Sequence, residues 1–189
     1  MTLLEVKIQQ LSDRAEIQDQ LYRWCRGVGR KDWDLVRSVF HEDAQDDHGN
    51  FNGAVEEFIG WQQRHHVGVD QSAHLLSNIL IEFVDSDTAL VESYVVAFHN
   101  YTADARQAHI DILGEAGAAV GAFNSRGVGR YLDRFCRRSG VWKIAHRITV
   151  VETFRTDQMG GRQLLPHWVA SRRDDKDELV RFRKELVSK

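Results

Sequence analysis

Proline is nearly absent from this 189-residue chain, which holds Pro166 and no other. No Pro-rich or Ser-rich linker, internal repeat or low-complexity segment divides it, which argues for a single domain. Cysteine is scarce as well. Cys25 and Cys136 follow no metal-ligand spacing and form no disulfide framework, so they read as reduced, partly buried thiols in a reducing compartment. Neither sign of charge dominates: 25 Lys and Arg stand against 28 Asp and Glu, a net charge of -3. Without a basic excess, a nucleic-acid partner is not expected. No apolar run approaches the roughly 20 residues of a membrane span. The opening MTLLEVKIQQLSDRAEIQ lacks the continuous apolar core of a signal peptide. The expectation is a cytoplasmic protein with no membrane contact.

What is present is ordinary for a globular domain: 42% hydrophobic and 28% charged residues. Ser12 reads as the N-cap of a first helix, with Ala15, Ile17, Leu21, Trp24, Cys25 and Val28 at helical spacing and Gly27 and Gly29 at its end. Asp32 reads as the cap of a second, short helix. The stretch 41–52 is polar and reads as a loop. A third helix is predicted from Ala54 to His66. The period then changes. Strands are predicted over 73–84, 88–101, 127–137 and 141–154, with hairpin turns at 85–87 and 138–140. Residues 102–126 are rich in Ala, Gly and Asp and read as a loop. Leu179, Phe182 and Leu186 mark one stripe of a charged terminal helix. Helices first and long antiparallel strands after them mean α+β. Helices packed on a strongly curved sheet make a cone whose mouth is a natural ligand site.

Three stretches carry a resemblance. LSDRAEIQDQLYRWCRGVGRKDWDLVRSVFHEDAQDDHGNFNG, SAHLLSNILIEF…DTALVESYVVAFH and GRYLDRFCRRSGVWKIAHR together span about residues 11–155. They resemble SnoaL-like proteins of the nuclear transport factor 2-like superfamily, and within it the dehydrochlorinase, scytalone dehydratase and bile-acid dehydratase group. The resemblance implies the cone-shaped α+β barrel over residues 1–155, with 156–189 as an extension whose helix packs on the same domain or on a dimer partner. It implies a homodimer formed through the sheet face. It also implies a histidine base at the start of the first long strand, matched by His74, and a partner aspartate after the first helix. The aspartate's place falls on Gly29, so this chain lacks the family's dyad at that point.

The residues supply candidates of their own. His74 suits proton abstraction near neutral pH. Tyr94 can polarise a carbonyl through its hydroxyl. One of His146 and Arg147 must look inward, and His146 is the expected one. Asp47 and His48, in the Asp46-Asp47-His48 run, together with His99, Arg130 and Tyr131, are expected to contact substrate. An arginine at the mouth can hold an anionic group. Asp133 is expected to pair with an arginine on the outer face. His65 and His66 read as a solvated helix end. No metal-binding spacing is present, and no cofactor is expected. The reading is a lyase or isomerase that takes a proton from a small cyclic or aromatic molecule. The alternatives are a non-catalytic ligand binder and the small subunit of an aromatic-ring dioxygenase.

Overall fold

The structure, a computed structural model, describes residues 2–115, 121–158, 165 and 167–187. The first helix, α1 (Leu3–Arg30), starts far ahead of Ser12. Thr2 is its N-cap: Glu5 N donates to Thr2 Oγ1 at 3.2 Å, and Thr2 N donates back to Glu5 Oε2 at 2.7 Å. This reciprocal box satisfies two otherwise orphaned donors and overrides the weaker signal at Ser12. Asp32 caps α2 (Trp33–Ser38), accepting from Leu35 N at 3.0 Å. The segment expected as a loop folds as β1 (Phe40–Asp47) and a short β2 (Asn52–Ala54). β1 pairs locally with β2 and, in parallel, with the distant strand that ends the sheet hairpin, and its polar composition gives no local sign of the distant pairing.

Helix α3 (Val55–His65) follows, then β3 (Val69–Phe83) and β4 (Thr88–Tyr101). A further helix, α4 (Arg106–Leu113), lies in the segment expected as a loop. Strands β5 (Phe123–Arg138) and β6 (Val141–Gln158) form the longest hairpin, turned by Ser139 and Gly140, both at positive φ. Strand β6 thus runs through the boundary expected at 155. Helix α5 (Glu178–Val187) ends the described chain, whose residues 188 and 189 lie outside it. The sheet order is β2-β1-β6-β5-β4-β3, with β1 parallel to β6 and every other pairing antiparallel. Helices α1 to α3 pack on this curled sheet, which gives the cone expected from the sequence.

The core between helices and sheet holds Trp24, Phe58, Phe135 and Trp142. Trp142 is fully buried, and its indole Nε1 donates to Asp13 Oδ1 at 3.0 Å, so its one polar atom is satisfied. Two bulges set which side chains reach the interior. One falls between Val128 and Gly129. The other falls near Arg134 and Phe135, where Arg134 pairs with His146 and Phe135 with Ile144, leaving Ala145 as the extra residue.

Candidate functional site

The cone holds a half-open pocket of about 200 Å³ lined by His48, His65, His74, His99, Tyr101 and Tyr131 among apolar neighbours such as Val95, Ala97 and Phe154. The inward parity of β4 supplies Val95, Ala97, His99 and Tyr101. Strand β3 supplies His74, opposite Ala97. Strand β5 supplies Tyr131, beside Gly127 and Gly129. His65 comes from the end of α3, half-buried on the cavity wall with Nδ1 3.1 Å from Asp111 Oδ2. Its neighbour His66 is 2% exposed. The pair is therefore not a solvated helix end. The α4 segment folds over it and removes it from water.

Burial dominates the chemistry of these rings. It pushes His74 down to about 3, and it lowers His65, His66 and His99 as well. At neutral pH these imidazoles are uncharged, and a neutral imidazole offers one lone pair as a base or acceptor. The His74 and His99 rings meet edge-on at 5.2 Å. The phenols shift the other way. Burial raises Tyr101 to about 12 and raises Tyr131 further, so both keep their protons and can donate. Among the described residues no group of three His, Cys, Asp or Glu is placed to hold a metal ion.

His74 has no carboxylate beside it. Its Nδ1 is buried and has no hydrogen-bond partner among the described residues. At Gly29, a Cβ would meet only the Ser72 carbonyl oxygen, at 3.5 Å. The Gly29 carbonyl is instead held by the C-terminal segment. Arg173 donates through Nε to Gly29 O at 2.9 Å, through Nη1 to Val69 O at 2.8 Å and through Nη2 to Val28 O at 2.8 Å. Its Nη2 also lies 2.8 Å from His66 Nδ1. The guanidinium thereby caps the carbonyl end of α1. Burial pushes it down to about 10, still charged at neutral pH.

Of the residues expected from the sequence, His48, His74, His99 and Tyr131 come together at the cavity. Tyr94, Arg130 and His146 do not. Tyr94 pairs directly with Arg130, whose guanidinium lies 6.0 Å from its ring and bonds Glu92 and Glu152, on the outer face of the sheet. Unbroken alternation from Trp142 and Ile144 would turn His146 inward. The bulge at Ala145 shifts the parity, so His146 lies opposite Arg134 and Arg147 takes the interior. Arg147 there pairs with Asp133, so the expected outer-face partner of Asp133 is corrected to an inner one. Asp47 also turns away, accepting from Gly49 N at 3.4 Å, while Asp46 is buried. His65, Tyr101, Arg147 and Arg173 are not singled out by the sequence as site residues, and Asp46 enters only as part of the Asp46-Asp47-His48 run. Strict alternation along β1, where Ala44 and Asp46 share the buried parity, was the available signal for Asp46.

Comparison with known proteins follows the same geometry. A family model described as a SnoaL-like domain matches residues 9–148. No curated protein matches the chain. Three solved structures of similar fold are a candidate scytalone dehydratase from Novosphingobium aromaticivorans (20% identity, 87% of this chain and 99% of that one, TM-score 0.65), the hexachlorocyclohexane dehydrochlorinase LinA-type3 from Novosphingobium barchaimii (20%, 85% and 99%, 0.65) and a candidate aromatic ring hydroxylase from Novosphingobium aromaticivorans (22%, 78% and 94%, 0.62). At these identities the likeness establishes the shared fold.

Proposed function

Because the chain belongs to the SnoaL-like domain family, we propose that it is a cofactor-independent lyase or isomerase that abstracts a proton from a small cyclic or aromatic molecule inside the cone. The observation that carries this reading is the pairing of neutral imidazoles with protonated phenols around one half-open pocket. An uncharged imidazole can take a proton. A phenol beside it can donate a hydrogen bond to the oxygen on which charge develops. The space suits one ring: an apolar cavity of about 150 Å³ already admits benzene, and this one measures about 200 Å³. The dehydratase and dehydrochlorinase among proteins of similar fold agree with the reading. Small cyclic alcohols, halides and ketones, incubated without cofactor in D₂O and followed by proton NMR, test it. Loss of water or halide, or C–H to C–D exchange above buffer, is the expected result. No change across the panel would remove the reading.

A second reading is a non-catalytic binder of the same kind of molecule. It is favoured by His74, which has no carboxylate to orient it. Binding of an aromatic ligand with no turnover would support it.

The outer sheet face carries Leu75, Leu90 and Phe98, all exposed, around the Arg130, Glu92 and Glu152 ion pairs. We assign this face to a homodimer and place the protein in the cytoplasm. No helix among the described residues is long and apolar enough to cross a membrane. Residues 156–189 act as an extension of the same domain, anchored through Arg173 and through Asp177, which lies 3.5 Å from Arg30. Sedimentation of the pure protein should give a dimer; a monomer at all concentrations would refute the assignment.

A further inference from the structure

The carboxylate that His74 lacks stands beside a different imidazole. On β1 the inward parity carries Ala44 and then Asp46, and His48 follows just past the strand. Asp46 is 1% exposed, and neither of its oxygens accepts a hydrogen bond among the described residues. A buried carboxylate in that state requires compensating charge close by. Two groups flank it. Arg147 is its Cα partner across the β1–β6 pairing. His48 is the other, with Nδ1 3.3 Å from Asp46 Oδ1.

The same Nδ1 lies 3.0 Å from Thr149 Oγ1. A carboxylate only accepts, and a hydroxyl can accept, so a hydrogen on Nδ1 suits both neighbours. The free lone pair of the neutral ring is then on Nε2. No protein group bonds Nε2 among the described residues, His48 lines the cavity, and its side chain keeps 22% of its surface accessible. The ring packs against the stacked pair Phe58 and Trp61, at 5.2 Å and 5.9 Å. An imidazole with one nitrogen beside a carboxylate, the other free and its plane fixed by packing is the arrangement a general base requires.

We infer that His48, oriented by Asp46, is the proton-abstracting base of this cavity and takes the part that His74 cannot fill. The inference rests on the proton-abstraction reading above. In the step, Nε2 bonds to the abstracted proton and the C–H electron pair becomes a new π bond. The leaving group departs with its own bonding pair. If it leaves as hydroxide, it takes the proton from Nε2 and becomes water, which restores neutral His48. In an isomerisation the same proton returns to another carbon. Asp46 touches no substrate; it is a positioning residue that stabilises the transient imidazolium. Arg147, bound in its turn to Asp133, sits behind Asp46.

The test uses 5-nitrobenzisoxazole, a ring-sized probe whose opening starts with proton removal from carbon and releases a coloured phenolate. Turnover is compared for the wild-type chain and for His48→Gln, Asp46→Asn and His74→Gln, with folding checked by circular dichroism. Loss on the order of a hundredfold is expected in His48→Gln, with a smaller loss in His74→Gln. Asp46→Asn should lower kcat about tenfold and leave KM unchanged. A second measurement needs no variant to fold: ¹⁵N NMR of the wild-type chain should find the His48 hydrogen on Nδ1. Wild-type turnover that falls more in His74→Gln than in His48→Gln would overturn the inference while leaving proton abstraction intact. So would a His48 hydrogen on Nε2. A folded wild-type chain with no turnover above buffer would count against proton abstraction itself, and this inference would go with it.

Discussion

Arg147 grips Asp133 with two parallel hydrogen bonds inside the sheet, Nε to Oδ1 and Nη2 to Oδ2, each 2.7 Å. Neither side chain is exposed. The guanidinium also lies 4.1 Å from the Tyr131 ring centre and 4.7 Å from that of Trp24. Two-pronged geometry and adjacent aromatic rings are what a buried arginine needs to offset its lost hydration. Breaking such a pair from one side leaves a bare charge. Asp133→Asn is expected to cost about 3–5 kcal/mol, measured as a lower urea midpoint with an unchanged slope. A cost below about 1 kcal/mol would mean that the pair is not what holds this end of the sheet.

Arg173 should be the main tie between the C-terminal segment and the domain, ahead of the longer Asp177–Arg30 contact. Arg173 gives three hydrogen bonds to backbone carbonyls of α1 and β3. Arg173→Ala removes all three and leaves the Val28 carbonyl with only the Lys31 N–H, at 3.3 Å. The expected outcome is a loss of about 1–3 kcal/mol. Cleavage of the segment beyond residue 170 by limited proteolysis should also quicken. If hydrogen exchange and proteolysis in α5 stay as in the wild type, the anchor lies elsewhere.

Acid should weaken the fold before its carboxylates titrate. His65, His66, His74 and His99 all sit below their unfolded value near 6.5, His74 at about 3. Between those values the unfolded chain binds protons that the folded chain refuses. The stabilisation is therefore complete above about pH 6.5 and is lost as pH falls toward the folded values. Each fully separated group contributes a slope of about 1.4 kcal/mol per pH unit. Urea unfolding should show stability dropping from pH 7.5 to 5.5. His74→Gln should flatten that drop. A stability that rises over the same interval would contradict the burial of these rings.

Much of this arrangement was legible from sequence, for identifiable reasons. Strands β3 and β4 announce themselves through β-branched residues and the Asp85-Ser86-Asp87 turn, so the placement of His74 and His99 followed. Asp32 behaved as the cap its type favours. The errors come from long-range features. Strand β1 pairs in parallel with β6, roughly a hundred residues away, and nothing local in HEDAQDD advertises it. The bulge at Ala145 reverses the inward parity, and no residue type marks it, so His146 was favoured where Arg147 belongs. Asp46 and Asp47 are chemically identical neighbours, and only the buried parity of β1 separates them. Arg173 reaches α1 across 144 residues of chain, which no periodicity can convey.

The central claim is that the cavity removes protons from ring-sized molecules. The most direct measurement is proton NMR of a small cyclic ketone in D₂O, with wild-type protein and with Ala97→Phe, which fills the cavity from β4. Deuterium should enter next to the carbonyl faster than in buffer with the wild-type chain, and at the buffer rate with Ala97→Phe. Equal exchange with both proteins, at or above the buffer rate, would contradict the claim.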